Sequence, residues 1–259
     1  LWWVDFYGPT LHRLDPATGE RRDWTLPGSA VGSAVLAGGG TLIVALDQGL
    51  CRFDATDGSA THWLDPEGGR AGVGLNDAKL DRQGRLWIGS FDRGEREPRG
   101  LLHRIDRAGR HAIADSGFVV CNGPAFSPDG RTLYFSDTLG RRLLAYPLDP
   151  ASGQLGERCL FAAIAEGLPD GLTVDAEGFV WCAHYGGGRL SRFAPDGRLE
   201  RQLPLPVSNP TSLCFGGPDL ATLYVPTARD GADPAAEPLA GALLALEPGV
   251  RGIAEKRFG

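Results

Sequence analysis

The chain has 259 residues, 42% hydrophobic content and a formal net charge of −6. That is enough apolar material for a sizeable core, and an acidic balance without basic runs excludes nucleic acid as a partner. No apolar run approaches the ~20 residues that a membrane-crossing helix needs, so no membrane partner is expected. The five cysteines, Cys51, Cys121, Cys159, Cys182 and Cys214, are scattered singly and show no zinc-ribbon or redox spacing. Each sits in a short apolar run and reads as a buried free thiol. That suits a reducing, cytoplasmic compartment.

A short β-rich run recurs along the whole chain. In order the copies are Leu1–Asp5, Leu42–Leu46, Leu86–Ser90, Leu133–Asp137, Val180–His184 and Leu223–Thr227, spaced 41–47 residues apart. A second run follows each copy: Leu11–Asp15, Leu50–Asp54, Leu102–Asp106, Leu143–Pro147, Leu190–Ala194 and Leu243–Glu247. Several of these lead into Asp-Pro-x-x-Gly or Pro-Asp-Gly turns, where Pro presets φ and Gly takes a positive φ. A third run precedes five of the copies: Ser33–Ala37, Ala78–Asp81, Pro124–Ser127, Leu172–Asp175 and Ser212–Phe215. A weaker fourth run closes most units, as at Arg201–Leu205. The alternation is strand-like, and no segment sustains a helical period.

Four strands per unit and six units predict an all-β, six-bladed β-propeller, a single domain over residues 1–259. A double-sheet sandwich is the architectural alternative. The first unit begins at its second strand and the last lacks a convincing fourth. Closing such a ring would take an N-terminal segment of roughly 20–30 residues before Leu1. The chain starts with Leu rather than Met, in keeping with that expectation.

Aligning the units on the start of the innermost strand brings chemistry into register. Asn76 of Leu75-Asn76-Asp77 meets Asn122 of Asn122-Gly123 and Asp170 of Pro169-Asp170-Gly171, with Thr211 at the same offset. Innermost strands line a propeller's channel, so equivalent positions are expected to converge. Amide and carboxylate oxygens without His or Cys form a hard-oxygen site, suited to Ca²⁺, Mg²⁺ or Mn²⁺. Carboxylate ligation also leaves Zn²⁺ or Fe²⁺ open. Asn-Gly and Asp-Gly are turn signals too, and spacing alone does not separate a metal site from a hydrogen-bonded polar plug.

The same residues carry a resemblance. Asn76-Asp77-Ala78-Lys79 with Gly84–Gly89, Asn122-Gly123 with Ser127–Gly130, Pro169–Gly178, Gly186–Arg189, Pro210-Thr211-Ser212 with Phe215-Gly216-Gly217, and Ala228–Gly231 resemble the regucalcin/gluconolactonase family of metal-dependent lactonases. The resemblance runs over the full sequence. It implies a divalent metal ion, calcium first, held by Asn122, Asp170 and a Glu from a Gly-Glu motif expected before Leu1. It also implies a substrate-binding Asn at Asn76 and an Arg two residues earlier, where this chain has Gly74. A further acidic residue of the family maps near Gly94, beside Glu95.

Under that resemblance the expected reaction is hydrolysis of a small sugar lactone to its aldonic acid. Metal polarisation of the carbonyl would assist attack by water, with Asp170 as the catalytic carboxylate. His184 and Arg229 are further substrate-binding candidates: His184 ends a strand before a glycine run, and Arg229 lies in an Ala-Arg-Asp-Gly loop. Asp137 reads as a loop cap. No Gly-x-Ser-x-Gly nucleophile motif is present, which argues against a covalent route. The rival readings are a non-catalytic calcium-binding protein, a protein-interaction propeller, and a hydrolase acting on other esters.

Overall fold

The computed structural model describes residues 1–259 and contains no α-helix. Twenty-two strands form six antiparallel sheets, each a simple up-and-down meander. The first sheet holds β1 (Trp2–Asp5), β2 (Thr10–Leu14) and β3 (Arg21–Thr25). The second holds β4 (Val31–Leu36), β5 (Thr41–Leu46), β6 (Gly49–Asp54) and β7 (Ala60–Leu64). The third holds β8 (Val73–Leu80), β9 (Leu86–Asp92), β10 (Gly100–Ile105) and β11 (His111–Phe118). The fourth holds β12 (Cys121–Phe126), β13 (Thr132–Asp137), β14 (Arg142–Pro147) and β15 (Cys159–Ala163). The fifth holds β16 (Leu168–Val174), β17 (Val180–Tyr185), β18 (Arg189–Phe193) and β19 (Leu199–Pro204). The last holds β20 (Cys214–Gly216), β21 (Thr222–Pro226) and β22 (Leu243–Leu246). These are the six blades of a β-propeller, as the repeat predicts. The first and last sheets are three-stranded.

The chain packs as two compact units. One is Leu1–Cys121 with Glu255–Gly259; the other is Asn122–Ala254. In each, second and third strands such as β5, β9, β13 and β17 are buried on both faces. A strand with sheets packed on either side reads as a continuous apolar run, which is why these segments were the clearest in the sequence. Outer strands such as β11 and β19 are half-exposed and alternate.

The first unit has two cores. Leu11, Val31, Leu42, Val44 and Phe53 pack with Trp2 and Trp24; Ile43, Leu50, Leu75, Leu86, Ile88 and Ile105 pack with Phe258. The second unit repeats the plan. Leu143, Leu172, Val180 and Phe193 form one layer, and Trp181, Leu190, Leu213, Phe215 and Leu223 the next. Apolar burial of this kind contributes about 1.5–3 kcal/mol per large side chain.

The innermost strands start earlier than their apolar runs suggest. β8 and β16 each carry a bulge where two residues oppose one. Asn76-Asp77 lie between the pairs Leu75↔Ser90 and Ala78↔Ile88; Asp170-Gly171 lie between Pro169↔His184 and Leu172↔Cys182. The polar bulge interrupts alternation, so the strand looks shorter in sequence than it is.

The cysteine expectation needs correction. Cys51, Cys121 and Cys182 are buried free thiols, but Cys159 is exposed and Cys214 is intermediate. Cys159 opens outer strand β15, where one face meets solvent.

Candidate active site

In the second unit, Asn122 and Asp170 are tied together through backbone and hydroxyl groups. The Asn122 side-chain amide donates to Thr138 Oγ1 at 3.0 Å, and that hydroxyl donates to the carbonyl of Pro169 at 2.9 Å. Thr138 spends its only proton on Pro169, so Nδ2 must be the Asn122 atom that faces it. Oδ1 of Asn122 is thereby turned to the opposite side of the amide. Ser136 Oγ donates to the carbonyl of Asp170 at 2.7 Å. Two hydroxyls from the end of β13 thus hold the carbonyls of the peptide bonds before and after Asp170. The Asp170 side chain itself is half-buried on the bulge.

The glycines after these residues are explained by close approach rather than by hairpin turns. Both dipeptides lie inside strands. A Cβ on Gly123 would fall 2.8 Å from the amide nitrogen of Leu172 and 3.0 Å from the carbonyl of Asp170; on Gly171 it would fall 2.4 Å from Ser212 Oγ. Gly123 also has φ +50°, in the left-handed region. The turn reading of Asn-Gly and Asp-Gly therefore does not hold at these positions.

His184 pairs with Pro169 across β16 and β17. It is buried, and its Nδ1 donates to the carbonyl of Glu166 at 3.0 Å, while Nε2 has no hydrogen-bond partner. Burial lowers its pKa, so the neutral imidazole with a bare Nε2 lone pair is favoured. Beyond it, Asn209 accepts from the amide of Gly186 at 3.1 Å and donates to the carbonyl of Asp230 at 2.7 Å. Arg229 lies against the turn at Gly241, with Nε 3.4 Å from the carbonyl of Ala240. Thr211 Oγ1 bonds the carbonyl of Pro226 at 3.2 Å, a local tie rather than a ligand position. Asp137 caps its loop as expected, accepting from Gly140 N at 3.2 Å and from Arg142 Nε at 2.8 Å.

In the first unit, Asn76 donates to the carbonyl of Cys121 at 2.8 Å, and its own carbonyl accepts from Ser33 Oγ at 2.7 Å. Glu95 stands in a tight turn at φ +52°, exposed.

The chain matches the family model described as SMP-30/Gluconolactonase/LRE-like region over residues 1–229. The chain belongs to this family. It is similar to a 6-deoxy-6-sulfogluconolactonase of Pseudomonas putida, 37% identical over 100% of this chain and 90% of that protein. It is also similar to a pentonolactonase of Haloferax volcanii, 32% identical over 99% of this chain and 89% of that protein. Among solved structures it matches a calcium-binding protein, regucalcin, from Agrobacterium tumefaciens with a TM-score of 0.95, at 30% identity, over 100% of this chain and 89% of that one.

The donor set can be tested against a metal on its own geometry. No group of three or more His, Cys, Asp or Glu side chains is placed to hold an ion. What the second unit offers is one amide oxygen, oriented by Thr138, and one carboxylate, fixed through its backbone. That fits two positions of a hard-oxygen site, with the rest open to water or substrate oxygens. Asn122 and Asp170 are expected from the sequence alone. Thr138 and Ser136 escaped that reading, because a hydroxyl at a strand end carries no motif. Their only signal is position, just after the apolar run of β13.

Proposed function

We propose that the protein hydrolyses a sugar lactone to the corresponding aldonic acid. The observation that carries this reading is the Asn122–Thr138–Pro169 relay beside the Asp170 bulge, in a chain whose relatives include named lactonases. A bound divalent ion, with Asn122 Oδ1 and Asp170 as ligands, would polarise the lactone carbonyl and lower the energy of charge developing on its oxygen. Calcium suits the oxygen donors best, and zinc, manganese, magnesium or iron are the other candidates. Asp170 would take the proton of the attacking water and return it to the ring oxygen as the ester C–O bond breaks. Asn76 orients the substrate by hydrogen bonds, with its amide direction fixed by Cys121. His184 and Arg229 are further substrate contacts in this reading; Nε2 of His184 is a buried hydrogen-bond acceptor without a partner.

The similarity to a calcium-binding regucalcin supports a second reading, a calcium-binding protein without turnover. A pH-drop assay over a panel of five- and six-membered lactones, run after chelation and then across a metal series, separates the two. Lactonase activity that is lost on chelation and restored by one or more ions supports the first. Calcium binding by calorimetry without turnover of any lactone supports the second. Full turnover in metal-free protein would overturn the metal assignment.

A further inference from the structure

The strongest unexplained feature outside Asn122 and Asp170 lies in the first unit, around Gly74. Gly74 and Phe91 are direct partners across β8 and β9. A Cβ on Gly74 would come 2.5 Å from the Phe91 ring and 3.4 Å from Cζ of Arg93. The space that a side chain at 74 would enter, two residues before Asn76, is therefore taken by an aromatic ring and a guanidinium.

That guanidinium is held firmly. Nε of Arg93 donates to the carbonyl of Val73 at 3.1 Å, and Nη2 donates to Asp47 Oδ1 at 2.7 Å. Asp47 is itself anchored: its Oδ2 accepts from the hydroxyl and amide of Ser29 and from the amide of Ala30. Burial alone would raise the Asp47 pKa. The Ser29 bonds and Arg93 outweigh it and hold the pKa at about 2. Nη1 of Arg93 makes no hydrogen bond within the protein, and 37% of the side chain is exposed. An ordered guanidinium with a spare pair of N–H donors has already lost the rotamer freedom that binding would otherwise cost.

The carboxylate beside it decides which acceptor is favoured. An anion approaching Nη1 is attracted by Arg93 and repelled by Asp47 on the neighbouring Nη2, so the carboxylate offsets part of the attraction. A hydroxyl oxygen needs only the donor. We infer that Arg93 grips a hydroxyl of the substrate next to Asn76, and that the Arg93–Asp47 pair selects an uncharged polyhydroxy lactone over one with an anionic substituent. This rests on the lactonase reading above.

The test is steady-state kinetics of wild type, Arg93→Gln, Arg93→Lys and Asp47→Asn on metal-loaded protein, with three classes of lactone: neutral hydroxylated, a deoxy analogue, and a sulfonated one. Arg93→Gln should raise KM for neutral hydroxylated lactones roughly tenfold or more, the loss of one charged-donor bond, with kcat within about twofold. Arg93→Lys should recover part of that loss, and added guanidinium ion should partly rescue Arg93→Gln. The deoxy analogue lacking the gripped hydroxyl should show the same KM in wild type and Arg93→Gln. Asp47→Asn should shift preference toward the sulfonated lactone. An unchanged KM in Arg93→Gln overturns the inference. So does a wild-type preference for the sulfonated lactone that Arg93→Gln abolishes. If wild type turns over no lactone, the lactonase reading fails separately. Calorimetry with neutral gluconolactone then decides: binding that weakens in Arg93→Gln sustains the role of Arg93, and binding that is absent or unchanged ends it.

Discussion

Strand β16 has an aspartate near each end, and the two live in different chemistry. Asp175, just past its end, is fully buried. Its carboxylate accepts from the amides of Glu177 and Phe179, from Trp181 Nε1 at 2.8 Å and from Arg192 Nε at 2.8 Å. Asp81 repeats the pattern at the end of β8, accepting from Gln83 N, Arg85 N, Trp87 Nε1 and Arg85 Nε. Asp170, on the bulge near the start of β16, is only half-buried, and its backbone carbonyl accepts from Ser136 Oγ. The same residue type is a structural anchor where four donors converge on its oxygens. It is a candidate reactive group where it stands half-buried on a bulge whose backbone is held by Ser136 and Thr138.

The largest expected effect falls on Asp170. Asp170→Asn keeps shape and an oxygen donor but removes charge and basicity, and should lower kcat/KM by ~10²–10⁴-fold with the melting temperature nearly unchanged. Repeating the assay at saturating metal sharpens the result: recovery to wild-type turnover would make Asp170 a ligand only. Asp175→Asn should do the reverse. It leaves Arg192 buried with only Glu177 and Glu200 for company, and should cost about 3 kcal/mol in denaturant unfolding, while the folded fraction keeps its turnover. If Asp175→Asn lost activity without losing stability, the contrast between the two aspartates would be broken.

Thr138→Val comes next. It removes the hydroxyl that orients Asn122, and should weaken metal affinity by ~10–100-fold, read by calorimetry, with stability changed far less than by Asp175→Asn. The smallest effect is a pH dependence at Asp47. Its pKa falls from 3.8 to about 2 on folding, so its contribution is fully present above pH ~4 and is lost as pH drops toward 2. Asp47→Asn should therefore flatten the acid limb of the stability curve by on the order of 1 kcal/mol, after allowance for solvent screening. An acid limb identical to wild type would remove Asp47 from the account.

The blades were legible because second and third strands are buried on both faces and so read as apolar runs after turn glycines. Asn76 and Asp170 were legible as an offset, and the structure gives that offset a physical basis in two bulges of the same form. Four things were not legible. The start of β16 was hidden by its own polar bulge. Gly123 and Gly171 looked like turn residues, because sequence does not show that atoms of a neighbouring segment lie within 3 Å of a would-be Cβ. The Asp175–Trp181 and Asp81–Trp87 bonds span six residues each and look, in sequence, like ordinary strand ends. The place of Arg93 beside Gly74 was missed because it arises from strand pairing between β8 and β9.

Phe258 ties the first unit to the end of the chain. It packs edge-on against Trp63 with ring centroids 5.2 Å apart, and its amide donates to the carbonyl of Leu36 at 2.8 Å. The core between β4–β7 and β8–β11 is thus closed by a residue made more than a hundred positions later. The second unit is contiguous in sequence, whereas this core of the first takes in a residue from 255–259.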